Sequence, residues 1–197
     1  AKKEKVNAPA GNAVPHGPPS ITRGGHEWMT GRPVESAPML SVKQELLAAL
    51  AGELDEWLAS PQGWLGLVLL LDQLPRMIHR DTQHAFDGDR RAQVLVMQGL
   101  DRAWDYQLLP LQRVFILLVL EHAEVLDWQN ISIERYQLLL DAQPDSDRRL
   151  FEGFLDYAEQ HQRVIARFGR FPHRNLVLGR PSTDEEMDFL LEPGSRF

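Results

Sequence analysis

Hydrophobic positions follow a helical period over most of the chain. In residues 41–59 (SVKQELLAALAGELDEWLA), leucine and tryptophan recur every three or four positions with acids opposite them, which predicts one amphipathic helix ended by Ser60 and Pro61. Residues 64–71 (WLGLVLLL) and 114–120 (VFILLVL) are apolar on every side, a pattern typical of helices inside a core. No alternating pattern of useful strand length occurs.

Turn and cap residues divide the rest of the chain into further helices. Pro61 suits the first turn of the second helix, and Pro75 should kink or end it. Asp87 or Asp89 should begin a third helix. Its inward face is predicted to consist of Ala92, Leu95, Val96, Gly99 and Leu100.

The second half of the chain predicts four more helices. Pro110 opens a helix over residues 111–129, and a shorter one follows from 132 to about 140. A long helix then extends to residue 168, with Asp145 or Ser146 as its N-cap and Gly169 as its left-handed C-cap. A capping box of Ser182 and Glu185 starts a short terminal helix. The sequence therefore predicts an all-α protein of about six to eight helices.

Length and composition set the broad class of protein. The chain has 197 residues, 43% of them hydrophobic, which predicts one domain with its own core. Residues 1–27 are rich in proline and glycine and predict an N-terminal arm, with a single domain over 28–197. Such an arm is a possible contact for homo-oligomer formation.

Cysteine content and apolar run length bear on the compartment. The chain has no cysteine, so disulfides and cysteine nucleophiles are excluded. Neither apolar run approaches the roughly 18 residues of a membrane span, and residues 1–12 lack the apolar segment of a signal peptide. These features favour a cytoplasmic protein without membrane association.

Charge is distributed unevenly along the chain. The formal net charge is −7, yet residues 161–180 (HQRVIARFGRFPHRNLVLGR) contain five arginines, two histidines and no acid. The acidic balance argues against a nucleic-acid partner, whereas a local basic patch could bind a small anion. Guanidinium groups suit carboxylate or phosphate.

Three of the predicted helices carry ionisable residues in apolar surroundings, where such groups need partners or water. Asp72 and Arg76 lie one helical turn apart and can pair, and we expect Glu121 or Glu124 to pair with Arg167, Arg170 or Arg174. The position of His161 on an apolar stripe favours a hydrogen-bonded core histidine over a catalytic base. The candidate binding residues are Asp72, Gln73, Arg76, Glu121, His122, Glu124, His161, Arg167, Arg170, His173, Arg174 and Asn175.

Motifs for metal, cofactor or nucleophilic chemistry are weak or missing. The chain has no His-Glu-x-x-His zinc motif, and it offers only residues 121–124 toward a di-iron pattern. It has no phosphate-binding glycine loop and no Gly-x-Ser-x-Gly. The sequence therefore predicts no metal and no cofactor.

Five segments resemble a bacterial family of unknown function, family 924 of the domains of unknown function. They are residues 69–80 (LLLDQLPRMIHR), 85–92 (AFDGDRRA), 117–129 (LLVLEHAEVLDWQ), 157–180 and 182–190 (STDEEMDFL). The resemblance spans about residues 46–197 and implies a tetratricopeptide-like α–α superhelix, with no established activity. Family members tend to begin with an aromatic-rich helix, whereas residues 1–27 of this chain are rich in proline and glycine.

Three functions remain open on the sequence alone. The first is binding of a small anionic ligand or peptide terminus at the Arg/His/Glu cluster. The second is an enzyme that uses Glu121, His122 or His161 as acid or base, with arginines stabilising an oxyanion. The third is a structural or protein-interaction module whose charges are all paired.

Overall fold

The all-α class is confirmed by a computed structural model that describes residues 37–196, with side chains from residue 41. Within that range the chain forms seven α-helices, several short 3-10 helices and no strand. The α-helices are α1 (Ala37–Ala51), α2 (Pro61–Ile78), α3 (Asp89–Asp101), α4 (Pro110–Glu121), α5 (Leu126–Asp141), α6 (Asp145–Phe168) and α7 (Asp184–Phe189).

Helix α2 is the centre of the first core layer. Its side chains from Trp64 to Leu71 are mostly buried, as the all-round apolar pattern predicts, and they contact α1, α3 and α4. The indole Nε1 of Trp64 donates to the carbonyl of Leu95 at 2.8 Å. A Cβ at Gly99 would lie 2.2 Å from the Trp64 ring, so α2 and α3 pack at a distance that only glycine allows.

Helices α4, α5 and α6 build the second core layer. Val114, Tyr136, Phe151 and Ala158 are buried together there, and the hydroxyl of Tyr136 donates to the carbonyl of Val114 at 3.1 Å. Helix α6 is the longest, with 24 residues. Its C-terminal half therefore extends past α5 and reaches the end of α4, where the candidate residues lie.

Three predicted helix boundaries are wrong. Helix α1 ends at Ala51 because Gly52 adopts a left-handed φ of 82°, and residues 55–59 form a separate 3-10 helix. Helix α4 ends at Glu121 rather than near residue 129, and α5 continues through the predicted gap at 130–131. The amide of Gln129 donates to the carbonyls of Glu121 and Ala123 at 2.6 and 2.8 Å, which closes the end of α4 and stabilises the turn.

Cap predictions are correct in part. Asp89 begins α3, and Gly169 ends α6 with a φ of 69°. Pro144, not Asp145 or Ser146, is the N-cap of α6. The capping box of α7 is formed by Thr183 and Glu186, one residue later than predicted. Pro75 lies inside α2, which continues to Ile78.

The domain boundary predicted at residue 28 lies outside the described residues, and so does the arm with its suggested role in oligomer formation. Residues Ser36–Phe197 form one unit by their internal contacts. Among the described residues, no helix is long and apolar enough to cross a membrane.

Candidate functional site

One cavity of about 500 Å³ opens between the ends of α2 and α4, the C-terminal half of α6 and the 3-10 helix Pro172–Arg174. Each of these elements brings at least one ionisable side chain to the cavity. The lining residues are Arg76, Arg80, Asp81, Thr82, Ala85, Phe86, His122, Tyr157, His161, His173, Arg174 and Val177.

Asp72 and His122 form a hydrogen-bonded pair at the inner end of the cavity. Asp72 is fully buried, and its carboxylate oxygens lie 2.8 and 3.0 Å from Nδ1 of His122. Burial alone would raise the pKa of Asp72, but His122, Arg76 and Gln73 hold it at about 2. The carboxylate is therefore ionised and accepts the Nδ1 proton, which fixes the histidine tautomer.

His122 is consequently neutral with Nε2 unprotonated. Burial lowers its pKa below the usual value, and Arg76 and Arg174 act in the same direction against Asp72. No described residue hydrogen-bonds to Nε2. The lone pair of Nε2 is therefore available as an acceptor on the cavity side of the ring.

Arg76 and Arg174 line the cavity while their acidic partners lie behind them. Arg76 donates to both oxygens of Asp89 at 2.7 and 2.9 Å and lies 3.1 Å from Asp72. Arg174 donates to the carbonyl of His122 at 2.9 Å and lies 3.8 Å from Asp89. Neither acid lines the cavity, so the wall presents guanidinium groups and the carboxylates hold them in position.

Phe86 and Phe171 fix the guanidinium of Arg174 in place. It lies 4.4 Å from the ring centre of Phe171 and 5.0 Å from that of Phe86, within the range of cation–π contacts. Burial and the nearby Arg76 lower the pKa of Arg174 to about 10. The group stays charged at neutral pH although it is nearly buried.

The rim of the cavity is formed by the turn after α2. Asp81 adopts a left-handed φ of 62°, a conformation that aspartate tolerates better than most residues. The turn brings Arg80, Asp81 and Thr82 to the opening, where all three are exposed. Arg80 makes no ion pair or hydrogen bond with any described residue.

Two more histidines complete the wall. Nδ1 of His161 donates to the carbonyl of Tyr157 at 2.9 Å, in agreement with the predicted core histidine. Burial lowers the pKa of both His161 and His173 to about 4. Glu121 lies behind His161, with Oε2 3.6 Å from Nδ1, and burial raises its pKa to about 8.

The other arginines of residues 161–180 are paired with acids away from the cavity. Arg170 donates to both oxygens of buried Glu186 at 2.6 and 2.8 Å. Arg180 donates to both oxygens of Glu124 at 2.6 and 2.9 Å. We refer to Arg167, Arg170 and Arg180 as the paired arginines, because Arg167 likewise donates to Glu185 at 2.9 Å.

The arginines of this segment do pair with acids, as predicted, but Glu124 does not pair with the predicted arginines. Asp72 and Arg76 pair as expected. Glu124 pairs with Arg180, not with the arginines that we expected. The reason is that acids on α7, four to five residues past Pro181, lie closer to Arg167 and Arg170, and sequence distance gives no sign of that arrangement.

The cavity includes only part of the predicted set. Five predicted residues line it, namely Arg76, His122, His161, His173 and Arg174. Asp72 and Gln73 lie behind His122, while Asn175 donates to Ser182 and Glu186 beside the paired arginines. The prediction missed Arg80, Asp81 and Thr82. Among the described residues, no group of three His, Cys, Asp or Glu side chains could hold a metal ion.

Fold and site together define an all-helical protein with an arginine- and histidine-lined cavity at the ends of its core helices. The sequence model described as "Bacterial protein of unknown function (DUF924)" matches residues 21–194. The chain belongs to this family, so the resemblance is confirmed. The match begins well before residue 46, where the resemblance began.

A solved structure supports the fold assignment. The chain is similar to the protein of unknown function ATU0120 from Agrobacterium tumefaciens, with 35% sequence identity and a TM-score of 0.67. The similarity covers 76% of this chain and 78% of that one. No curated protein matches the chain.

Proposed function

We propose that the protein binds a small organic anion, such as a carboxylate, a phosphate or a peptide terminus, in the cavity beside Arg174. One observation carries this proposal. Among the described residues, three arginines line the cavity against a single carboxylate, that of Asp81, while Asp72 and Asp89 lie behind two of the arginines. An entering anion would therefore meet guanidinium donors that are already oriented, which lowers the cost of ordering them on binding.

A thermal-shift screen against phosphate and carboxylate metabolites tests this proposal. Stabilisation grows as RT ln(1 + [L]/Kd), so a specific ligand raises the melting temperature in a concentration-dependent way. We expect at least one anion to stabilise the wild type and to lose most of its effect in Arg80→Ala. Arg80 is exposed and pairs with no described residue, so its removal should leave the fold intact.

Arg149→Ala is the matched control, since it removes the same charge from an exposed position on α6. Arg149 lies twelve residues before His161, about 18 Å away along the helix. Equal loss of the ligand effect in both variants would mean that only net charge matters. That result would contradict a site at the cavity.

A second candidate function is proton-transfer or hydrolytic catalysis. The hydrogen bond from His122 to ionised Asp72 favours it, because a carboxylate that orients a neutral histidine is a common arrangement for a general base. Turnover of ester and phosphate-monoester probes by the wild type, abolished in His122→Asn, would support catalysis. Turnover that persists in this variant would exclude His122 as the base.

The finer assignments rest on sequence arguments. We propose a tetratricopeptide-like arrangement of the helices, a cytoplasmic location, one domain over residues 28–197 and an arm before it that contacts a second subunit. The lack of cysteine supports the location. Light scattering of the full chain and of a chain that begins at residue 28 tests the role of the arm: equal masses would contradict it.

A further inference from the structure

Hydrogen-bond donors dominate the charged part of the cavity wall. Arginine side chains donate and cannot accept, and Arg76, Arg80 and Arg174 all line the cavity. Carboxylate and phosphate oxygens only accept when ionised. A simple anion therefore suits the arginines but offers nothing to an acceptor in the wall.

His122 provides such an acceptor. Its Nδ1–H donates a hydrogen bond to Asp72, so Nε2 carries a lone pair, and no described residue donates to it. The side chain is 14% exposed, which leaves Nε2 in contact with the cavity rather than with open solvent. The carboxylate of Asp81, which also lines the cavity, lies exposed at the rim.

We propose that the ligand is a small anion that also carries a hydroxyl group, and that this hydroxyl donates to Nε2 of His122. The inference rests on the proposed anion-binding function and names the ligand class within it. A plain anion that fills the cavity would strip water from the Nε2 lone pair without replacing its hydrogen bond, which costs binding energy. A hydroxylated anion satisfies the arginines and the histidine together.

The charged and titratable groups around His122 keep this acceptor in place at neutral pH. Asp72 and Arg76 face it from α2, Arg174 from the 3-10 helix and His161 from α6. Protonation in acid would turn Nε2 into a donor and add a positive charge. The preference for a hydroxyl should then vanish, while the affinity for the plain anion should rise.

Matched probe pairs test the inference by calorimetric titration of the full chain. Glycolate is compared with acetate, and glycerol phosphate with propyl phosphate, so that each pair differs mainly in hydroxyl content and the two pairs distinguish carboxylate from phosphate. We expect the hydroxylated member of at least one pair to bind roughly tenfold more tightly. Equal affinities within every pair that binds would overturn this inference and leave the proposed anion-binding function standing.

His122→Asn is the informative variant, because its amide can still donate to Asp72 while the Nε2 acceptor is removed. The ratio of affinities within each probe pair should fall to about one; a ratio that stays at its wild-type value would overturn the inference. If this variant fails to fold, the wild type in acid gives the same decision when it is tested with the phosphate pair, because a phosphate monoester stays anionic in acid whereas acetate is protonated. If no probe binds the wild type, the proposed function fails and the inference with it.

Discussion

The arginines of residues 161–180 lie in two different environments. The paired arginines each donate to a carboxylate of their own: Glu185 for Arg167, Glu186 for Arg170 and Glu124 for Arg180. Arg174, only four residues beyond Arg170, instead stacks between two phenylalanine rings and lines the cavity. The same residue type thus closes the structure on one side and leaves a positively charged wall on the other.

The position of the acids accounts for this difference. On the paired side, the carboxylates of α7 and of the turn after α4 contact the guanidinium groups directly. On the cavity side, Asp72 and Asp89 approach from behind. A guanidinium group whose acid lies on the side away from the cavity still faces the cavity. Such a group can bind a ligand without rearrangement.

Removal of Arg170 should have the largest effect on stability. Arg170→Ala leaves Glu186, which is 2% exposed, without its bidentate partner. We expect the free energy of unfolding to fall, because the carboxylate of Glu186 is left without its cation. Urea denaturation measures this loss, and ligand binding should be kept. The double variant Arg170→Ala with Glu186→Gln should recover part of the loss. A stable Arg170→Ala protein that binds no anion would reverse our assignment of the two sides.

Glu121 sharpens the comparison, because this buried acid has no arginine partner among the described residues. Its pKa is raised from 4.5 to about 8, so the folded protein keeps a proton that the unfolded chain has released. Stability should therefore decrease as pH rises from about 4.5 to 8. Glu121→Gln removes this loss and should raise the free energy of unfolding by up to about 3 kcal/mol at pH 7.

Denaturation of both proteins across this pH range measures the effect. The advantage of Glu121→Gln should shrink toward zero near pH 4, where the glutamate is protonated in both states. If the difference in free energy of unfolding between the two proteins does not change with pH, Glu121 is not the group that titrates.

Loss of a rim arginine should change binding and leave stability alone. Arg80→Ala is expected to weaken anion binding roughly tenfold, which corresponds to the loss of one charge-assisted hydrogen bond. The free energy of unfolding should stay within about 0.5 kcal/mol of wild type, since exposed substitutions rarely exceed that. Calorimetric titration and urea denaturation of the same preparation separate the two quantities.

Arg167 should give the smallest effect. Its ion pair with Glu185 is largely exposed, and pairs of this kind contribute less than about 1 kcal/mol. Arg167→Ala should therefore lower stability by about 0.5 kcal/mol and leave anion affinity unchanged. A larger loss of stability would show that its contacts with Phe168 and Phe189 matter more than the ion pair.

The helical class was predictable because burial leaves a direct trace in the sequence. Apolar residues on every side of 64–71 and 114–120 predicted core helices, and the ends of those helices marked where polar side chains would gather. Helix boundaries were harder to predict where distant side chains set them. Gln129 ends α4 through a contact that no local pattern around residue 121 indicates.

The site was predictable as a region and not as a set of pairs. Arg76, His122 and Arg174 were candidates because of their types and positions, and they line the cavity, whereas Arg80 was not among the candidates. Which arginine meets which acid depends on how α7 folds back. Ion pairs between elements far apart in sequence follow from tertiary packing, which the charge pattern alone does not encode.

Side-chain nitrogen spectra of the histidines test the central claim most directly. Inorganic phosphate, or the best anion of the thermal-shift screen, is added to protein with ¹⁵N-labelled histidine. We predict that the signals of His122 and His173, which line the cavity, shift with increasing anion, while exposed His84 beside Asp87 does not. Binding that leaves the signals of His122 and His173 unchanged would contradict an anion site in this cavity.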